Sequence, residues 1–190
     1  MTCVLAIPGA FSSPRIFQWI RQQLPDATWQ FLEYSDIASS IADIQQKVRR
    51  EQCSCHVVGH SMGGLIALSL AHEPWVKTIT TISAPIGGLD LNIFQMMFSR
   101  SSLMQELSST GGFISALKKS LIDKPCQHVI STQGFNPWIY EPSDGVVTIR
   151  SQKAQAWGPQ WEISANHCEV MLDDQTVELL HKFWQQHDSI

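Results

Sequence analysis

Cys55-His56-Val57-Val58-Gly59-His60-Ser61-Met62-Gly63-Gly64-Leu65-Ile66-Ala67-Leu68-Ser69-Leu70-Ala71 is the stretch whose reading decides the fold. Cys55 to Val58 is short, apolar and β-branched, the signature of a buried strand. Gly64 to Ala71 is small and unbranched, suited to a helix packed tightly on a sheet. Between them Gly59-His60-Ser61-Met62-Gly63 matches G-x-S-x-G, a strand-to-helix turn that projects a serine hydroxyl at the top of a sheet. Glycines two before and two after the serine let the backbone double back without Cβ clashes. The helix that starts there offers free N–H groups and a positive dipole end to an oxyanion beside the serine. A bare G-x-S-x-G arises by chance; strand, turn and helix together make it specific.

Outward from this turn, strands alternate with helices. Cys3 to Ile7 reads as a buried strand ending at Pro8-Gly9. Pro14 opens a helix to about Leu24, with Ile16, Phe17, Ile20 and Leu24 on one face. Trp29 to Tyr34 reads as a strand, and Ile37 to about Glu51 as a helix with Ile37, Ile41, Ile44 and Val48 at helical spacing. After the central turn, Val76 to Ile82 is rich in Thr and Ile and reads as a strand. Gln127 to Thr132 and Trp161 to Ser164 follow, and Asp173 to Gln186 closes the chain as a helix. This order predicts an α/β fold, a parallel sheet of about six strands covered on both faces. Right-handed crossovers place every strand's C-terminal end on one edge, where functional residues of such sheets collect.

The segment between Ser83 and Cys126 is longer than one crossover helix needs. Residues 89–121 read either as ordinary helices on the sheet or as a small cap over that edge. In the second reading Phe94, Met97 and Phe98 contribute to an adaptable apolar substrate-binding site.

The chain has 190 residues and a formal net charge of −4. That length suits one domain, 1–190, with a sizeable core. The charge and the absence of a Lys/Arg cluster beyond a pair argue against nucleic acid as partner. The cysteines at 3, 53, 55, 126 and 168 are odd in number and lack metal-site spacing. They read as free thiols of a reducing compartment rather than a disulfide framework. No signal peptide is apparent, and no apolar stretch approaches the roughly 20 residues of a membrane span. A cytoplasmic protein without metal or organic cofactor is the expectation; the oligomeric state is not legible.

A serine hydroxyl at such a turn needs a base to take its proton and a third group to orient that base. Of the histidines, only His167 follows directly after a predicted strand at the active edge, in Ala165-Asn166-His167-Cys168. Asp144 follows the fifth strand, with Gly145 permitting a tight turn; Glu141 is its competitor. Two N–H donors for an oxyanion are expected from Met62 and from the loop Pro8-Gly9-Ala10-Phe11, either Ala10 or Phe11.

On these residues the chain resembles the α/β-hydrolase superfamily over nearly its whole length. Gly59-His60-Ser61-Met62-Gly63-Gly64 is similar to the elbow of small lipases and esterases, and the order Ser61, Asp144, His167 matches theirs. Ile82-Ser83-Ala84-Pro85-Ile86-Gly87-Gly88 resembles a Thr-Pro-His-x-Gly stretch but departs from it by Ala84 and Ile86. Pro8-Gly9 stands where the family often has His-Gly. The resemblance implies a compact member starting at the family's third strand, with sheet order 2-1-3-4-5-6. It also implies a serine hydrolase of small acyl ester substrates, with acyl-thioesterase as the alternative within enzymes. A non-catalytic binding module on the same scaffold is the alternative from another class.

Overall fold

The computed structural model describes residues 2–34, 41–48, 54–88 and 112–188. Its strands are β1 (Cys3–Ile7), β2 (Thr28–Phe31), β3 (Cys55–His60), β4 (Val76–Ile82), β5 (Cys126–Ser131) and β6 (Gln160–Ile163). They form one sheet of order β2-β1-β3-β4-β5-β6. Every neighbouring pair is parallel. This is the arrangement the sequence led us to expect.

The helices are α1 (Gln18–Gln23), which continues a 3₁₀ turn at Pro14–Phe17, then α2 (Ile41–Val48), α3 (Met62–Ser69), α4 (Gly112–Lys119), the single-turn α5 (Ile149–Gln152) and α6 (Asp174–Asp188). A second 3₁₀ turn spans Glu169–Leu172. The predicted helix from Ile37 is described only over Ile41–Val48, and of the predicted cap only residues 112–121 are described. The turn α5 carries no periodic signal in four residues and is an element the sequence reading lacked.

Alternation along β1 shows why that strand is apolar throughout. Leu5 and Ile7 enter one core with Val57, Ile79, Leu65 and Ile44. Val4 and Ala6 enter the other with Val58, Ile82, Val129, Phe17, Leu180 and Trp184. A strand buried on both faces shows no polar alternate. Helix α3 is buried from Met62 through Leu68, which explains its lack of a polar face.

The cysteines require a correction. Cys3 and Cys55 form a disulfide, with Cα atoms 4.7 Å apart. The register Val4↔His56 sets these two residues opposite each other on adjacent strands. Their pairing follows from strand order rather than from sequence spacing, so the expectation of free thiols fails for both. The cysteine argument for a reducing compartment goes with it. Cys126 is a free, buried thiol and Cys168 a free, exposed one. Burial pushes the Cys126 thiol up to about 12, so it stays protonated. Among the described residues no helix is long and apolar enough to cross a membrane.

Candidate active site

Ser61 stands between β3 and α3 with φ 54° and ψ −125°. That left-handed backbone costs a non-glycine residue on the order of 1–3 kcal/mol and persists only where the surroundings impose it. Two constraints impose it here. The Ser61 N–H donates to the Ile82 carbonyl at 2.8 Å, tying the turn to β4. Gly63 packs so closely under β1 that a Cβ there would lie 2.1 Å from the Ile7 carbonyl oxygen. Phe11 (φ 55°) and Ser83 (φ 52°) are the other non-glycine residues with positive φ among those described. All three follow strand C-termini on one edge of the sheet, the clustering expected of a functional edge.

The loop after β1 rides on this turn. A Cβ at Gly9 would come within 2.9 Å of the Ser61 Cβ, so only glycine lets the backbone approach the serine this closely. The Tyr34 hydroxyl donates to the Pro8 carbonyl at 2.6 Å and fixes the loop's entry. Ala10 and Phe11 follow directly, and Met62 is the first residue of α3.

Asp144 and His167 meet in the same region. His167 Nδ1–H donates to Asp144 Oδ2 at 2.7 Å. The His167 main-chain N–H donates to the Asp144 carbonyl at 3.0 Å. The Asp144 side chain is wholly buried, and a buried carboxylate is tolerable only when its lone pairs are satisfied. They are satisfied. Oδ1 accepts the Val146 and Val147 N–H groups at 2.9 and 2.7 Å. Oδ2 accepts Ser131 Oγ–H at 2.6 Å and Gln152 Nε2–H at 3.1 Å besides His167. Burial alone would push the carboxyl up; the hydrogen bond and charge of His167 and the bonds from Ser131 and Val147 outweigh it and hold it below its ordinary value. Gly145 takes the left-handed conformation (φ 93°) that turns the chain away after the carboxylate.

Ser131, Gln152 and Ser83 were not singled out from the sequence. Ser131 ends β5, and its Oγ lies 2.6 Å from Ser83 Oγ at the end of β4. Since Ser131 gives its proton to Asp144, Ser83 donates to Ser131. Gln152, on α5, also accepts the Ser131 N–H at 3.0 Å and donates to the Ser131 carbonyl at 3.0 Å. The one available signal was a polar residue ending each of two buried strands, which is weak.

The competing residues are engaged elsewhere. Glu141 pairs with Arg150 at 2.7 Å on the surface. His56 bonds Thr78 and Asp188. His128 bonds Thr81, accepts the Trp157 N–H, and is pushed down to about 4 by burial. Phe94, Met97 and Phe98 lie outside the described residues. No group of three or more His, Cys, Asp or Glu side chains that could hold a metal ion occurs among the described residues.

Comparison with known proteins agrees with this arrangement at the level of fold. A family model described as a PGAP1-like alpha/beta domain matches residues 28–117, a span that includes Ser61 and ends before Asp144 and His167. None of the curated proteins matches the chain in sequence. Solved structures do match. A lipase-esterase related protein from Clostridium acetobutylicum is 14% identical with a TM-score of 0.69, over 96% of this chain and 94% of the other. The mature lipase BlEst2 of Bacillus licheniformis gives 14% and 0.72, over 96% and 91%. A thioesterase domain from the curacin biosynthetic pathway gives 13% and 0.60, over 97% and 90%. At these identities the likeness is one of architecture, since unrelated chemistries share folds.

Proposed function

We propose that this chain, which has the α/β-hydrolase fold, is a serine hydrolase that cleaves carboxylic esters through an acyl-enzyme on Ser61. The observation that carries this reading is the buried Asp144–His167 pair at 2.7 Å, at the sheet edge where the strained Ser61 turn stands. Nothing in packing alone calls for a buried ion-pairing carboxylate with every lone pair occupied.

In this reading His167 takes the Ser61 hydroxyl proton as Oγ attacks the ester carbonyl carbon. Asp144 keeps the proton on Nδ1, so Nε2 faces the serine as base, and stabilises the imidazolium that forms. The tetrahedral oxygen is met by the N–H of Met62 and that of Ala10 or Phe11. Collapse breaks the C–O bond, and His167 Nε2–H protonates the departing alcohol. Water, deprotonated by His167, then attacks the acyl-enzyme and releases the acid, returning Ser61 to its start. The lipase and esterase architectures among the similar structures support an ester over an amide.

A thioester is the second reading, favoured by the thioesterase domain among those structures. Comparing p-nitrophenyl esters with acyl-CoA of equal acyl length separates the two. Labelling with a fluorophosphonate and mapping the adduct tests the reading itself. The expected adduct is on Ser61 and is absent from Ser61→Ala. Folded protein that hydrolyses esters without labelling at Ser61 overturns the proposal, and a Ser61→Ala variant with full biological effect would point to the binding module instead.

A further inference from the structure

We infer that His60 is a positioning residue for His167, its Nε2–H holding the His167 main-chain carbonyl so that the residue beside the nucleophile sets where the base stands. The inference rests on the serine-hydrolase reading above.

His60 ends β3 two residues beyond Val58, and alternation puts its side chain on the face where Val58, Ile82, Val129 and Ile163 form the apolar core. The buried polar side chains elsewhere on that face bond one another or a neighbouring helix, His56 to Thr78 and Asp188 and Gln127 to Thr80 and the Leu179 carbonyl. The His60 imidazole is almost wholly buried, at 3% exposure. Its Nε2 lies 2.8 Å from the His167 carbonyl oxygen. A carbonyl only accepts, so Nε2 carries the proton and Nδ1 the lone pair. Nδ1 is buried and has no hydrogen-bond partner among the described residues. A half-satisfied imidazole in an apolar core is disfavoured for packing alone. The bond to His167 is what the position gains in return.

That bond completes a clamp. The N–H of His167 is held by the Asp144 carbonyl and the C=O by His60, while Asp144 Oδ2 holds the ring. Main chain and imidazole of His167 are thus set from two directions, and one of them is continuous with Ser61. The two imidazole rings stand 4.8 Å apart at 51°. Burial and the neighbouring His167 push His60 down to about 3, with its carbonyl hydrogen bond and Asp144 opposing weakly. It therefore places no second cation beside the imidazolium that forms on His167.

The test compares two substitutions by ester hydrolysis and by the rate of fluorophosphonate labelling at Ser61. His60→Phe keeps an aromatic ring and removes the donor. His60→Gln restores an amide N–H near the place of Nε2. The expectation is a fall in kcat of about 10- to 100-fold for His60→Phe with KM within about 3-fold, since small misplacements of a catalytic group cost this much. Labelling should slow in parallel, and His60→Gln should recover to within about 5-fold of the wild type. An unchanged kcat in folded His60→Phe, or equal losses in both variants, overturns the inference while leaving the serine-hydrolase reading intact. A wild type that does not label at Ser61 overturns both. Should His60→Phe fail to fold, ¹⁵N NMR of the wild-type imidazoles decides: His60 as the Nε2–H tautomer is expected, and the Nδ1–H tautomer overturns the inference.

Discussion

The turn that carries Ser61 and the turn that carries Asp144 are held in place by different physics. Around Ser61 the restraint is steric: β1 presses on Gly63, the Gly9 backbone presses on Ser61, and the serine is forced into a left-handed conformation. Around Asp144 it is polar: five donors from the chain itself surround one buried carboxylate. Ser61 is placed by leaving side chains out, Asp144 by bringing partners in. Each device suits the role proposed for its group. A serine nucleophile must stay accessible, so it cannot be surrounded by donors. An orienting carboxylate never touches substrate, so it can be sealed in and fully bonded.

Substitutions in the two turns should therefore fail differently. The largest effect is expected from Asp144→Asn. The amide cannot accept from all five donors, and an NH₂ facing His167 Nδ1 favours the wrong tautomer. We expect kcat to fall about 10⁴-fold with folding largely retained, read from steady-state kinetics alongside thermal unfolding. A loss under 10-fold would show that the polar turn is not what orients the base.

Gly63→Ala should show the opposite pattern. Its Cβ meets the Ile7 carbonyl of a central strand, which cannot move aside. We expect about 3–5 kcal/mol of destabilisation, seen in denaturant unfolding, with activity lost only in proportion to folded protein. A stable but inactive variant would break the contrast, because the steric device would then be adjusting chemistry rather than permitting the fold.

Ser131→Ala gives the smallest effect and the sharpest distinction. It removes one donor from Oδ2 and leaves Gln152 and His167 on the same oxygen. A loss of about 10-fold in kcat is expected, roughly 1.4 kcal/mol. The pH response adds a second readout. Asp144 is held below its ordinary value in the folded protein, so it contributes stability above that value, lost as pH falls through the folded-state pKa. Without Ser131 the depression is smaller, so the contribution shrinks and its loss, which starts at the same unfolded-state value in both proteins, is complete at a higher pH. Thermal unfolding followed from about pH 6 to about pH 2 should therefore show Ser131→Ala less stable than the wild type near neutrality, with the gap closing toward the acid end. Coincident curves would mean Ser131 does not bear on the carboxylate.

The same contrast explains what could be read in advance. The elbow is a local object: its glycines, strand and helix are contiguous, and steric rules over ten residues are written in the residues themselves. Asp144 and His167 were legible because each follows a predicted strand, and parallel topology sends such positions to one edge. Ser131, Gln152 and Ser83 were not. They come from two strands and a one-turn helix, and nothing in a lone Ser or Gln says which carboxylate it will meet. Cys3 and Cys55 make the same point. Their pairing depends on β1 lying beside β3 in one register, whereas their spacing in the chain matches no disulfide rule. His60 reads only as part of the motif, since β3 carries a second buried histidine, His56, on the same face, and nothing local says that His60 meets the main chain of His167.

What the sequence determined by itself is the α/β architecture, the strand order that the family resemblance implies, and the backbone geometry at Ser61. These follow from periodicity and from glycines that permit close approach, both written in contiguous residues, although the groups that press on the turn come from β1 and its loop. What only the tertiary structure decided is which donors seal Asp144, which residue holds the main chain of His167, and which cysteines join. Apart from the Val146 and Val147 N–H groups, which are local to Asp144, these depend on hydrogen-bond and bond distances between residues 8 to more than 100 positions apart, and such distances exist only once the strands have taken their places.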